Sequence, residues 1–487
     1  MKKRLVILFL IISLCLAGCE AHVGEKDVLG AYGGTDEQKT ESFENSDVTL
    51  LFYPDMDVNP VTTTCVANSR LLLMVYQPLV RANASFKPEC VIAESFSQDG
   101  DTLRIVIKDG VKFSDGTPVT AQDALKSISL AKKTETSPYY STASLISKCY
   151  AEGEKTVVIE FERELSDAAS LVDIPIMKDG KAGIGSGPYK FSVQNGKQIL
   201  SVNEHYPIKP AIAQIRLVES KTDDYVATLF SAGELDVLTV PGSDDLALTS
   251  LRNYSTLTYP SNNLIYIGIN TQNEKFADPA VRRAISSCID REKISKQTLA
   301  SLASATVYPY NPDYYKMSIY NVESSPKDVP DPTPLEKTKL TLIVPEESVY
   351  KTAIANAMAD SFKTLGITLK LDILPQSEYI SKVTTGNFEL YLGETAVSRT
   401  MDPSFLFKTG GSMNYCGYSN EKLDDLFWQF HTSGTGFDKC LAEFSKEMPI
   451  IPIVFKKNVM YSSVNLQGFV DQTAWDSYGS FERVVKK

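Results

Sequence analysis

Apolar and polar positions change their period several times along the chain, and each change marks an element. Val48-Thr49-Leu50-Leu51-Phe52 is an apolar run of strand length and reads as the first strand. Leu103-Arg104-Ile105-Val106-Ile107 alternates with period two, as a half-buried strand does. The dipeptides Asp109-Gly110 and Asp115-Gly116 mark turns. Thr120-Ala121-Gln122-Asp123 then resembles a capping box that opens a helix through Leu125 and Ile128. Farther on, Asp278 can cap a helix with Pro279 at its first position, and Val281, Ala284, Ile285, Cys288 and Ile289 share one face. Gly183-Ile184-Gly185-Ser186-Gly187 followed by Pro188-Tyr189-Lys190-Phe191 predicts a turn feeding a strand. It lacks the G-K-[ST] of a phosphate-binding loop and the spacing of G-x-S-x-G. Strands and helices alternating in this way predict an α/β protein.

Two stretches fall outside this pattern. Lys2, Lys3 and Arg4 precede the apolar run Leu5–Leu14, which is too short to span a bilayer but fits a secretory signal. Leu16-Ala17-Gly18-Cys19 follows and looks like a bacterial lipobox, so residues 1–18 are expected to be a signal peptide and Cys19 the lipidated first residue. Residues 19–47 are polar, have no apolar periodicity and are expected to form a flexible tether. Downstream, the apolar stretch Pro449–Phe455 is short and interrupted by proline.

Composition adds mainly exclusions. The 487 residues are 43% hydrophobic and 22% charged, as in an ordinary folded protein of a few domains. A net charge of −11 and the lack of a Lys/Arg block argue against a nucleic-acid partner. Beyond Cys15 and Cys19, six cysteines at 65, 90, 149, 288, 416 and 440 form no C-x-x-C pair. They read as scattered thiols, although full disulfide pairing could be made in fifteen ways. Three dispersed histidines, His22, His205 and His431, give no metal-ligand spacing and no catalytic constellation. Neither a metal, a cofactor nor an enzymatic activity is expected.

Several ordered segments carry a resemblance. They are Tyr76-Gln77-Pro78-Leu79-Val80, Pro88–Phe96, Val111–Asp123, Gly185–Phe191, Tyr266–Asn270, Phe276–Ile285, Ile289–Ile294, Asp402–Leu406, Gly417–Asn420 and Pro449–Ile453. Together they closely resemble the family 5 extracellular solute-binding proteins, the receptor subunits of oligopeptide and dipeptide ABC importers, from about residue 48 to the end. The resemblance implies a two-lobed, periplasmic-binding-protein-like clam (type II, cluster C) with an inserted accessory subdomain. Lobe I would take 48–64, 187–267 and 459–487, the accessory subdomain 65–186 and lobe II 268–458. It further implies a monomer that captures peptides or peptide-like solutes between its lobes and hands them to a membrane permease and its ATPase. The protein would be lipid-anchored and face the extracellular side or the periplasm. The alternatives are the same fold with a non-peptide cargo (an anionic small molecule, sugar, opine or chelated metal) or, from another class, a surface hydrolase.

In peptide-binding relatives an aspartate in a G-W-x-x-D stretch anchors the ligand ammonium. The matching stretch here reads Thr395-Ala396-Val397-Ser398-Arg399-Thr400-Met401 and puts Arg399 at that place. A guanidinium repels an ammonium and favours a carboxylate, phosphate or sulfate. Glu394 and Ser398 lie beside it, and Glu394 becomes the anchor if the alignment slips. Tyr53 and Asp55, in the loop after the first strand, and Tyr266, expected to begin the strand near the crossover into lobe II, complete the candidate cleft residues.

Overall fold

The computed structural model describes residues 47–83, 87–166, 168–222, 225–241, 254–299, 302–315, 331–335 and 338–487. The expected signal segment, Cys19 and the tether up to residue 46 lie outside them. The first strand, β1 (Asp47–Phe52), is apolar on both faces, with Val48 and Leu50 fully buried. This is the pattern a parallel central strand needs, and β1 pairs in parallel with β10 (Gln214–Glu219), Asp47 opposite Gln214. A parallel pair requires a long crossover. Here that crossover carries a whole subdomain.

The subdomain contains the short hairpin β2 (Val80–Ala82) and β3 (Pro88–Cys90) and a four-stranded antiparallel sheet. The sheet is β4 (Ala93–Asp99), β5 (Thr102–Ile107), β7 (Thr156–Phe161) and β6 (Ile146–Glu152), in that order. Burial along β5 alternates as its sequence predicts, with Leu103, Ile105 and Ile107 facing the core. The helix Ala121–Lys133 covers this sheet. Its capping box is formed: Thr120 Oγ1 accepts from the Asp123 amide and Asp123 Oδ2 from the Thr120 amide, at 3.4 and 3.0 Å.

The chain returns through β8 (Tyr189–Gln194) and β9 (Lys197–Val202). The glycines before β8 are required by a close approach: a Cβ on Gly185 would lie 2.1 Å from the Val75 carbonyl oxygen, and one on Gly187 would lie 2.4 Å from that of Met74. These glycines let two backbones pack together, and Gly187 donates its amide to Val75 at 2.8 Å.

After β11 (Val237–Pro241) comes the 16-residue β12 (Tyr254–Ile269). The chain continues through β13 (Ala303–Ala305), β14 (Lys339–Pro345), β15 (Thr368–Leu374), β16 (Leu390–Ala396) and the 14-residue β17 (Ile450–Ser463). Among the described residues one 11-stranded sheet runs β15-β14-β16-β12-β17-β11-β1-β10-β9-β8, with β13 on β17. Lobe I holds the β11 to β8 end and lobe II the β15 to β16 end. The antiparallel pair β12 and β17 belongs to both. Its register shifts between Pro260 and Leu264, where Ser261 Oγ donates to the Lys456 carbonyl at 2.7 Å. The expected lobe boundaries at 267/268 and 458/459 therefore fall inside two continuous strands, and the register irregularities lie before the first of them, one between Pro260 and Leu264 and a second between Ile265 and Tyr266.

Two large cores result. One fills lobe II, between the helix Val349–Thr364, the sheet and the helices Glu421–Ser433 and Phe437–Glu447. The other joins β1, β10 and Tyr189 of lobe I to the accessory sheet and helix without a break. A smaller cluster on the other face of the lobe I sheet gathers Leu51, Tyr53, Phe230 and Tyr461. The six cysteines among the described residues are all free thiols.

Candidate functional site

Beyond β16 the chain enters a tight turn. The Val397 amide donates to the Asn262 carbonyl at 2.9 Å, which fastens the turn to the irregular stretch of β12. Ser398 and Thr400 share a hydroxyl–hydroxyl bond of 2.6 Å, and the Met401 amide donates to the Ser398 carbonyl. Met401 takes φ 53°, which turns the chain sharply and leaves Arg399 at the tip.

The Arg399 guanidinium reaches out of lobe II and forms an ion pair with Asp173 of the accessory subdomain. Both side chains are about nine-tenths buried, at 11% and 12% exposure. It lies 4.6 Å from the ring centre of Tyr139, also accessory, and 5.7 Å from that of Trp475 in the C-terminal segment. Trp475 stacks on Tyr314 of lobe II with centroids 5.8 Å apart, and the Tyr314 hydroxyl accepts from the Ala474 amide and donates to the Pro260 carbonyl. Met401, Ala82 and Ala474 pack around these rings. Lobe I, lobe II and the accessory subdomain thus meet at one charged, aromatic junction.

The electrostatics follow from burial. Desolvation lowers the Arg399 pKa, against the pull of Tyr139 and Asp476. Burial pushes the neighbouring Asp476 carboxyl up to about 6, against the opposing effect of Arg81 and an amide bond from Tyr478. A second contact lies along the same boundary, where Arg163 of the accessory subdomain sits 3.9 Å over the Trp428 ring of lobe II. A pocket of about 350 Å³ opens there between Arg163, Asp402, Lys408, Asp424, Trp428 and His431. Burial lowers the His431 pKa although Asp402 lies 3.6 Å away. Among the described residues no group of three or more His, Cys, Asp or Glu side chains is placed to hold a metal ion. No helix there is long and apolar enough to cross a membrane.

The sequence profile of the bacterial extracellular solute-binding proteins, family 5, matches residues 87–415, about two thirds of the chain. This chain is a family 5 solute-binding protein. The oligopeptide-binding protein AppA of Bacillus subtilis is 22% identical over 86% of this chain and 88% of its own length. The dipeptide-binding protein DppE of the same organism is 24% identical over 94% of each. Among solved structures, the unliganded open form of the periplasmic murein tripeptide-binding protein MppA superposes with a TM-score of 0.74. It is 20% identical and covers 91% of this chain and 98% of that one. The two-lobed α/β fold expected from the resemblance is therefore the observed one, and these relatives are binding proteins from outside the cytoplasmic membrane.

Within this solute-binding protein the candidate residues separate. Arg399 and Ser398 lie at the junction. Glu394 does not share their contacts: it is flanked by Lys456 at 2.8 Å and Lys351 at 3.3 Å, so its charge is already compensated by two ammonium groups. Tyr53 is 7% exposed and packs in the small lobe I core, with its backbone held by Asn68 through bonds of 3.0 and 2.9 Å. Asp55 is exposed on the loop that follows. Tyr266 corrects a sequence expectation. It does not begin a strand but lies twelve residues into β12, 1% exposed, with its hydroxyl 3.1 Å from that of Tyr391 and its ring over Gly393. A ring enclosed on that side is packing of the lobe II core.

Asp173, Tyr139, Tyr314 and Trp475 were not read from the sequence. One signal was available for the last: the chain has only two tryptophans, and both Trp428 and Trp475 stand where lobe II meets the rest of the family 5 protein.

Proposed function

We propose that this chain is the receptor subunit of an ABC importer for peptides or peptide-like solutes, with no turnover of its own. It would act as a monomer, be anchored through lipidated Cys19, and deliver its cargo from between the lobes to a permease driven by an ATPase. The observation that carries the reading is the junction at Arg399. Three separate parts of the chain bring charge and aromatic surface to one place, across a boundary that, among the described residues, two strands of the large sheet cross. Such a joint can open and close on a ligand, and closure is favoured by the difference in ligand affinity between the two states. The near full-length match to binding proteins named for oligopeptides and dipeptides supports peptides as the cargo class.

The test is native mass spectrometry of residues 20–487, produced without lipid and purified gently. A spread of peptide masses on the protein is the expected result. A single non-peptide mass would replace peptides with that solute, and cleavage of added peptides would overturn the assignment as a receptor. Anchoring is tested separately. Cys19→Ala should move the protein from the membrane fraction to the soluble one, and retention in the membrane would end that part of the proposal.

A further inference from the structure

We propose that Arg163 and Trp428 form a clasp, made only when lobe II closes on the accessory subdomain, that sets how long cargo is held. The proposal rests on the reading of the joint as one that opens and closes, and adds the contact that tunes it.

The division between the two cores decides which parts move together. Lobe I and the accessory subdomain share one core and lobe II has its own, so closure moves lobe II as a body against the other two. Arg163 and Trp428 lie on opposite sides of that division, and each is fixed on its own side. Trp428 stands on the helix Glu421–Ser433, whose Phe427 and Phe430 are buried in the lobe II core. One turn later on this helix, His431 Nε2 lies 3.0 Å from the Tyr310 hydroxyl. Arg163 follows β7 in a loop tied to the accessory subdomain. The Glu162 amide donates to the Leu145 carbonyl at 2.9 Å, and Gln98 Nε2 donates to the Leu165 carbonyl at 2.7 Å. The two side chains meet because two supported surfaces meet.

What joins these surfaces is weak enough to break. The guanidinium covers one face of Trp428 at 3.9 Å, yet the indole remains 55% exposed. Burial opposes the charge of Arg163, against the pull of Asp402 and Glu162. Beside it the Ser166 amide reaches the His431 carbonyl in a long bond of 3.4 Å. Gly434 ends the helix at φ 69°, and a Cβ there would lie 3.1 Å from that of Ser166, so the glycine permits this approach. Because the cores are separate, parting the contact opens neither of them. A cation over a partly exposed ring shifts an equilibrium only several-fold, which tunes the closed population without locking it.

Trp475, the second of the chain's two tryptophans, marks the other contact across the same division, 5.7 Å from the Arg399 guanidinium. If lobe II moves as a body, both contacts are made and broken together. Fluorine NMR of the full-length mature chain carrying fluorotryptophan reads each of them, alone and with a mixed-sequence library of tri- to pentapeptides. Arg163→Gln should shift both resonances. Trp428→Leu, which also assigns the spectrum, should move the remaining Trp475 resonance in the same direction. Arg163→Lys keeps a cation over the ring and should leave Trp475 near its original position. A response confined to Trp428 in Arg163→Gln, with Trp475 unmoved in Trp428→Leu under both conditions, overturns the clasp and makes the contact local packing.

Titration with the same library gives the second readout. Arg163→Gln should weaken apparent affinity about 3- to 10-fold, chiefly through faster release and by one factor for every peptide. The double variant with Trp428→Leu should lose no more than either single one. A loss confined to acidic peptides would place Arg163 on the cargo and overturn the proposal. If no peptide binds the unaltered chain, the peptide reading fails, and the joint response of the two resonances in the free chain still decides the clasp.

Discussion

A methyl group added at Gly268 would lie 1.9 Å from Cε1 of Tyr391, inside a core where that ring is already enclosed. Gly268→Ala is therefore expected to destabilise lobe II by about 2 kcal/mol or more, read as a fall in the denaturant midpoint at constant slope. Unchanged stability would mean that the ring has room to move. Asp476 gives a second prediction at this scale. Its carboxyl titrates at about 6 in the folded chain against 3.8 for the free side chain. The folded state thus holds a proton that the unfolded state gives up between those values. The group's contribution is full below 3.8 and is lost as pH rises to about 6, by at most about 3 kcal/mol. Asp476→Asn should remove that decline, so the gap in Tm between variant and parent should widen from pH 4 to pH 6. A constant gap would show that the carboxylate is not held in this way. Arg399 was legible in the sequence because it broke an ordered motif. Asp173 was not, since nothing in a linear sequence marks an acidic residue some 200 positions away as its partner. Tyr266 was misjudged because β12 is buried on both faces past the irregularity, so alternation along it carries no information about a cleft.

Helix starts were the most legible elements, because their chemistry is local. Thr120 with Asp123 and Asp278 with Pro279 form the caps that their spacing predicts, Asp278 accepting from the Ala280 amide at 2.8 Å. Thr120→Ala should cost about 1 kcal/mol in equilibrium unfolding, and a loss below a few tenths would mean that the helix is fixed by packing alone. What the pattern did not reveal is the role of Arg282, on the same helix as the predicted apolar face. The side chain is nearly fully buried and donates to the carbonyls of Phe276, Ala277, Glu447 and Met448. It thereby closes the end of the helix Phe437–Glu447 with a charge from another element. An apolar stripe records which residues face inward, not which charged neighbour accompanies them. Long strands shared between lobes were equally hidden. Their sequences read as ordinary apolar runs, and the continuity of β12 and β17 follows only from their pairing with each other.

At the scale of the molecule, six thiols at 65, 90, 149, 288, 416 and 440 mean that no covalent link holds the described lobes together. A reducing agent should leave the Tm of the mature chain unchanged within about 1 °C, whereas a drop of several degrees would reveal a disulfide. The two cores divide the protein differently from its sequence segments, since lobe I and the accessory subdomain share one and lobe II has its own. This division has a consequence for how such proteins can exchange parts. Lobe II joins the rest through two strands that are hydrogen-bonded to each other, so a recombination that replaces it has to cut both ladders near Ser261 and Lys456 and restore the same register in each. One breakpoint cannot do it. The accessory subdomain in turn cannot be replaced without presenting a matching apolar surface to lobe I. Arg399 and Asp173 lie on opposite sides of that division, so a graft of lobe II alone would carry half of a charge pair into a protein that holds the wrong other half.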